Sequence, residues 1–115
     1  AVDYAIFLQM IMNGGRYNGK QILSKRVVEM MLHNQLDFPF NGTNYFGLGF
    51  ELVSDKGSAS QPRNEGTFDW GGYFGTTYSA DPKEHLIVLF MTQQTPNSHG
   101  EIEPKFEQIL YSALK

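Results

Sequence analysis

"GTFDWGGYFGTTYSADPKEHLIVLFMTQ", Gly66 to Gln93, carries the densest strand signal in the chain, yet its first apolar segment runs straight into Trp70-Gly71-Gly72. Glycine weakens a strand, so two in succession mark either a bulge or a place where something must come close to bare backbone. "LIVLFMT", Leu86 to Thr92, is a continuous apolar run, the pattern of a central strand covered on both faces. Between them "DPKE", Asp81 to Glu84, puts Asp at the first and Pro at the second position of a type I turn, which predicts an antiparallel hairpin from Thr76 to Thr92.

Outward from this hairpin the chain alternates turn chemistry with amphipathic segments. Upstream, "FGLGFELV", Phe46 to Val53, alternates as one strand would, and "SDKGSASQPRNEG", Ser54 to Gly66, reads as a polar loop. Near the start, Asp3 stands as an N-cap before Phe7, Leu8, Ile11 and Met12 at helical spacing, and Asn13-Gly14-Gly15 supplies the stop. Ser24 caps a second helix, "KRVVEMMLHN", with Val27, Met30 and Met31 as its apolar stripe. Downstream, Pro104 occupies a first-turn position of a third helix whose apolar face is Phe106, Ile109, Leu110, Ala113 and Leu114. The prediction is α+β: a helical segment over 1–35, then three or four antiparallel strands and a terminal helix over 36–115, in one domain.

Composition bounds the function. At 115 residues with nine Phe and six Tyr the chain fits one packed core. A formal charge of -3 without any Lys/Arg run argues against nucleic acid and anionic membrane as partners. Absence of Cys removes disulfides, a thiol nucleophile and thiolate metal sites. His33, His85 and His99 show no paired ligand spacing, so no metal is expected, and no sequence pattern calls for a cofactor. The phosphate loop, the dinucleotide fingerprint and the Gly-x-Ser-x-Gly elbow are all missing from the chain. Asn41-Gly42-Thr43 has the form of a glycosylation sequon but reads as a turn.

"DYAIFLQMIMNGGRYNGKQILSKRVVEMM" (3–31), then "GLGFELV", then "FDWGGYFGTTYSADPKEHLIVLFMTQ" and the closing amphipathic helix appear in an order that resembles the C-terminal portion of the serine β-lactamase and penicillin-binding-protein superfamily, closest to its class C-like and esterase branch. The resemblance implies a β-lactamase/transpeptidase-like fold truncated at the N-terminus. It also implies that Trp70-Gly71-Gly72 occupies the place of the Lys-Thr-Gly-type triad, or of the His/Trp-x-Gly variant in esterase-like members. A substrate would lie along this strand as an added strand, Gly72 admitting it, and the Tyr73 N–H would be one of two oxyanion-hole donors. Trp70 replaces the lysine, so the cationic grip on a β-lactam carboxylate is missing, which tilts the expectation toward an esterase or peptidase-like hydrolase.

The family nucleophile, a Ser-x-x-Lys serine helped by a Tyr-x-Asn tyrosine, has no counterpart at its usual place. No Tyr-x-Asn occurs, and Ser112-Ala113-Leu114-Lys115 spells Ser-x-x-Lys only at the far end of the terminal helix. The chain alone is therefore expected to be inert, its partner being the missing N-terminal part of the same hydrolase and its substrates small acyl, β-lactam or peptide compounds. An uncovered sheet edge would favour a homo-oligomer. A periplasmic or extracellular setting is implied by the resemblance alone. The competing readings are a non-catalytic ligand-binding or interaction module of the same fold, and a structural domain in which Trp70-Gly71-Gly72 is only a bulge.

Overall fold

The computed structural model describes residues 1–115. Its frame is a five-stranded antiparallel sheet in which spatial order follows chain order: β3 (Tyr45–Phe46), β4 (Glu51–Leu52), β5 (Phe68–Gly71), β6 (Thr77–Asp81) and β7 (Leu86–Phe90). A short antiparallel ribbon, β1 (Arg16–Tyr17) with β2 (Lys20–Gln21), stands apart from it between the two helices of the 1–35 segment. The α+β class holds, and so does the hairpin: β6 and β7 pair residue for residue from Thr77↔Phe90 to Asp81↔Leu86. Thr76 extends the match by donating its hydroxyl to the Thr92 carbonyl at 3.2 Å.

Helix α1 (Val2–Met12) forms over a run free of Gly and Pro. It ends at Asn13-Gly14-Gly15, where the Gly15 N–H reaches back to the Met10 carbonyl at 2.9 Å. Asp3 lies within its first turn rather than at the cap, which is Ala1 and has no side-chain bond; there the Asp3 carboxylate still complements the helix dipole. The buried face of α1, Leu8, Met10 and Ile11, meets Phe50, Leu52, Phe68 and Ala80 of the sheet. Ser24 caps α2 (Lys25–Met31) through the Val27 N–H at 3.2 Å. Val28, not Val27 or Met30, is its buried residue, so the core-facing stripe is rotated from the one predicted: Val27 and Met30 stay exposed.

Three further expectations change. "FGLGFELV" is not one strand but the hairpin β3–β4, because Gly49 at φ +89° turns the chain and Phe46 comes to face Glu51. The polar loop contains a short helix, α3 (Asp55–Ser58), capped by Ser54 through the Gly57 N–H at 3.0 Å. Strand β7 is the sheet's edge rather than its centre: it pairs with β6 alone. Its apolarity is explained by cover on both faces, with α1 packed on one side and Phe90 5.7 Å from Phe106 of α4 (Ile102–Ser112) on the other.

Helix α4 departs most from its sequence pattern. Pro104 does sit in the first turn, but Ile109 is 72% exposed and Phe106 40%, whereas Glu107 is 7% exposed and is the buried residue of the helix. An apolar stripe buries only where it finds apolar cover, and the sheet face beneath α4 is divided, with Asp69, Ser79 and Asp81 on β5 and β6 and apolar Leu86, Val88 and Phe90 only along β7, where Phe106 meets Phe90.

Candidate functional site

Alternation along β5 divides its side chains between the two faces of the sheet. Phe68 and Trp70 point to the α1 side: Phe68 lies 5.1 Å from Phe50, and Trp70 lies 5.1 Å from Phe46 and 5.9 Å from Phe40. Asp69 points to the α4 side. The register with β6 is one to one through Trp70↔Tyr78 and Gly71↔Thr77, so the glycine pair is not a bulge.

The close approach that glycine permits is at Gly71, where a Cβ would come within 3.1 Å of the Thr76 carbonyl oxygen. At Gly72 the same atom would meet only ordinary contacts, Thr76 Cβ at 3.7 Å and its carbonyl oxygen at 3.9 Å. Nothing within the chain therefore requires glycine at position 72.

Strand β4 pairs with β5 only at Glu51↔Asp69 and Leu52↔Phe68. From Trp70 onward β5 is bound on its β6 side alone. After Gly71 the chain turns tightly, with the Gly72 N–H donating to the Thr76 carbonyl at 2.7 Å and the Gly75 N–H to the Gly72 carbonyl at 3.1 Å. Tyr73 rides at the outside of that turn, 84% exposed, and its N–H has no acceptor within the chain. The structure thus brings Trp70, Gly71, Gly72 and Tyr73 together at the open end of one strand, Trp70 being 41% exposed beside its aromatic neighbours.

The sequence reading did not include the charged cleft behind this strand, about 330 Å³, lined by Gly71 and Gly72 together with Glu51, Arg63, Asp69 and Glu107. The Arg63 Nη1 lies 2.6 Å from the Asp69 carboxylate and its Nε 3.3 Å from that of Glu107. Burial pushes Asp69 up to about 7 against the pull of Arg63, and Glu51, Glu107 and Glu103 add to the rise. Burial raises Glu107 also, with Arg63 opposing. The only local hint of this was a lone Asp between Phe68 and Trp70; its partners lie elsewhere in the chain.

Ser112 and Lys115 are placed far along α4 and beyond it. The Ser112 Oγ donates to the Gln108 carbonyl at 2.6 Å, the usual use of a serine hydroxyl near a helix end, and Lys115 is exposed. No helix is long and apolar enough to cross a membrane.

With the geometry in place, comparison with known proteins is informative. An uncharacterized protein of Mycobacterium tuberculosis is 33% identical over 110 residues, covering 84% of this chain and 27% of that protein. A Salmonella enteritidis protein named for D-alanyl-D-alanine carboxypeptidase activity is 26% identical over 110 residues, covering 89% of this chain and 24% of its own length. Among solved structures, EstCE1, a hydrolase with promiscuous acyltransferase activity, superposes with a TM-score of 0.73 at 21% identity, over 95% of this chain and 29% of its own. The chain spans about a quarter of the length of the curated relatives it matches. The Beta-lactamase family profile matches residues 1–111, and by that match the chain belongs to the beta-lactamase family of hydrolases.

Proposed function

We propose that this chain forms the substrate-binding wall of a serine hydrolase that works by acyl transfer, the serine, lysine and tyrosine being carried by a part of the protein outside these 115 residues. The serine oxygen attacks the substrate carbonyl, the leaving group departs with a proton, and water hydrolyses the acyl-enzyme. In this reading the acyl chain lies along Trp70-Gly71-Gly72 as an added strand, and the Tyr73 N–H donates to the oxyanion. One observation supports the proposal: in a member of this family, the turn that follows the open end of β5 leaves the Tyr73 N–H without an acceptor in the chain. Trp70 in place of a cation leaves no charged grip for a substrate carboxylate, which favours small neutral esters over β-lactams. By itself the chain is expected to be inert.

Gly72→Val tests the wall. A Cβ at this position meets only ordinary contacts, so circular dichroism should be unchanged, while kcat/KM for p-nitrophenyl butyrate in the intact protein should fall roughly 100-fold. An unchanged kcat/KM would remove Gly72 from the site. The half-exposed Trp70 flanked by Phe40 and Phe46 also favours a second reading, a non-catalytic module that holds an acyl or peptidyl ligand on an aromatic platform. Ligand-dependent quenching of Trp70 fluorescence with no ester turnover would select it.

A further inference from the structure

We propose that Arg63 is a positioning residue: by bridging Asp69 on β5 and Glu107 on α4, it sets the pose of the Trp70-Gly71-Gly72 edge from the opposite face of the sheet. The inference deepens the acyl-binding reading above and rests on it for its catalytic consequence, though not for its structural one.

The bridge is built from groups withdrawn from water, with side chains of Arg63, Asp69 and Glu107 only 22%, 14% and 9% exposed. Glu107 is the buried residue of α4, so the bridge is a principal fastening of that helix to the sheet near the site. The second fastening, the Tyr111 hydroxyl donating to Asp81 at 2.8 Å, holds the helix at its other end. The two ends of the bridge differ in quality. Nη1 meets Asp69 squarely at 2.6 Å, whereas Nε, buried, makes no aligned hydrogen bond despite lying 3.3 Å from Glu107. Arg63 is thus hydrogen-bonded to the strand and held to the helix as an ion pair, and a shift of α4 reaches Asp69 through that pair.

Asp69 is in turn rigidly joined to the edge. It is the last β5 residue gripped by β4, and Trp70 follows directly in an unbulged strand. Beyond it only β6 restrains the chain. Trp70 and Gly71 are held by β6 alone, so a displacement of Asp69 meets restraint on only one side of the strand as it passes to them.

The bridge also holds two carboxylates against one guanidinium. The charged or titratable groups around Asp69 are Arg63 from the loop, Glu51 from β4, Glu103 and Glu107 from α4, and Tyr78 from β6. With Asp69 pushed up to about 7 by burial, the bridge changes charge in the neutral range. Pose and protonation are thus linked at the strand that would bind substrate.

The intact protein provides the test, with the indole N–H resonance of Trp70, assigned by loss in Trp70→Phe, followed from pH 5 to 9. The expected result is a titration with its midpoint near 7 that disappears in Asp69→Asn and moves to lower pH in Glu107→Gln, which removes a negative neighbour. Glu107→Gln should also raise KM for p-nitrophenyl butyrate about threefold with kcat nearly constant. A resonance that is flat with pH, or that titrates equally in Asp69→Asn, overturns the inference. So does a Glu107→Gln protein that loses thermal stability while its Trp70 resonance and KM stay at wild-type values. Should the wild-type protein turn over no ester, the hydrolase reading fails while the resonance still decides the coupling.

Discussion

Asp69 and Asp81 lie on one face of one sheet, beneath one helix, and their carboxyls are driven in opposite directions. Asp81 is 1% exposed and accepts from the Asn64 N–H and side-chain amide, the Tyr111 hydroxyl and the Lys83 and Glu84 N–H groups. Burial alone would raise it, but these donors outweigh burial and hold the carboxyl below the usual range. Asp69 has Arg63 as its sole hydrogen-bond donor, and that cation is shared with Glu107. A formal opposite charge is present at Asp69 and absent at Asp81, yet Asp81 is the better ionised. Neutral dipoles fixed by a turn can solvate a buried carboxylate more completely than one contested cation.

The contrast makes opposite pH predictions. Asp69, with its folded pKa near 7, keeps a proton in the fold that the unfolded chain releases near pH 4. Its contribution to stability is therefore complete at low pH and is lost as pH rises through 7. Asp81, depressed in the fold, contributes fully above about pH 4, and that contribution is lost as pH falls through its folded value.

The largest effect at pH 7 is expected for Asp81→Ala, which removes a buried acceptor and frees several donors at once, and should cost about 3 kcal/mol in urea denaturation. A loss below ~1 kcal/mol would mean that the turn reorganises and that its dipoles are not fixed. Arg63→Met comes next. It leaves Asp69 and Glu107 without a cation and should cost about 3 kcal/mol at pH 8, most of it recovered at pH 5 as the carboxyls take up protons. A loss independent of pH would show that the methylenes of Arg63 matter more than its charge. The smallest effect carries the reverse sign. Asp69→Asn, which imitates the protonated acid, should stabilise the protein by about 1 kcal/mol at pH 8, by less at pH 5 and by nothing below about pH 4. Equal destabilisation at pH 8 and pH 5 would place Asp69 in the same class as Asp81.

What the sequence made legible was governed by local chemistry. The β6–β7 hairpin could be read because Asp81-Pro82 fixes its turn within four residues, and the Trp70-Gly71-Gly72 edge because paired glycines stand out in a strand. The β3–β4 hairpin was hidden because Gly47 and Gly49 alternate with Leu48 and Phe50, imitating the period of one strand while Gly49 reverses the chain. The central position assigned to Leu86–Phe90 failed because an edge strand covered on both faces has the same apolar composition as a central one. Glu107 was invisible for a deeper reason. Its partner is Arg63, a residue in another part of the chain, and against it the apolar periodicity of α4 pointed to Ile109, which faces out, and to Phe106, which is only partly covered by Phe90.

Because the five strands lie side by side in the order in which they are made, every pairing in the sheet joins consecutive strands, and closing each loop costs little chain entropy. Helix α4 is different: Tyr111 is 30 residues from Asp81 in sequence. In kinetic terms the sheet can assemble as a zipper while the terminal helix docks afterwards. The charged bridge under the Trp70-Gly71-Gly72 edge is then among the last of these interactions to form and among the first to open, and the edge acquires its final shape only when α4 docks.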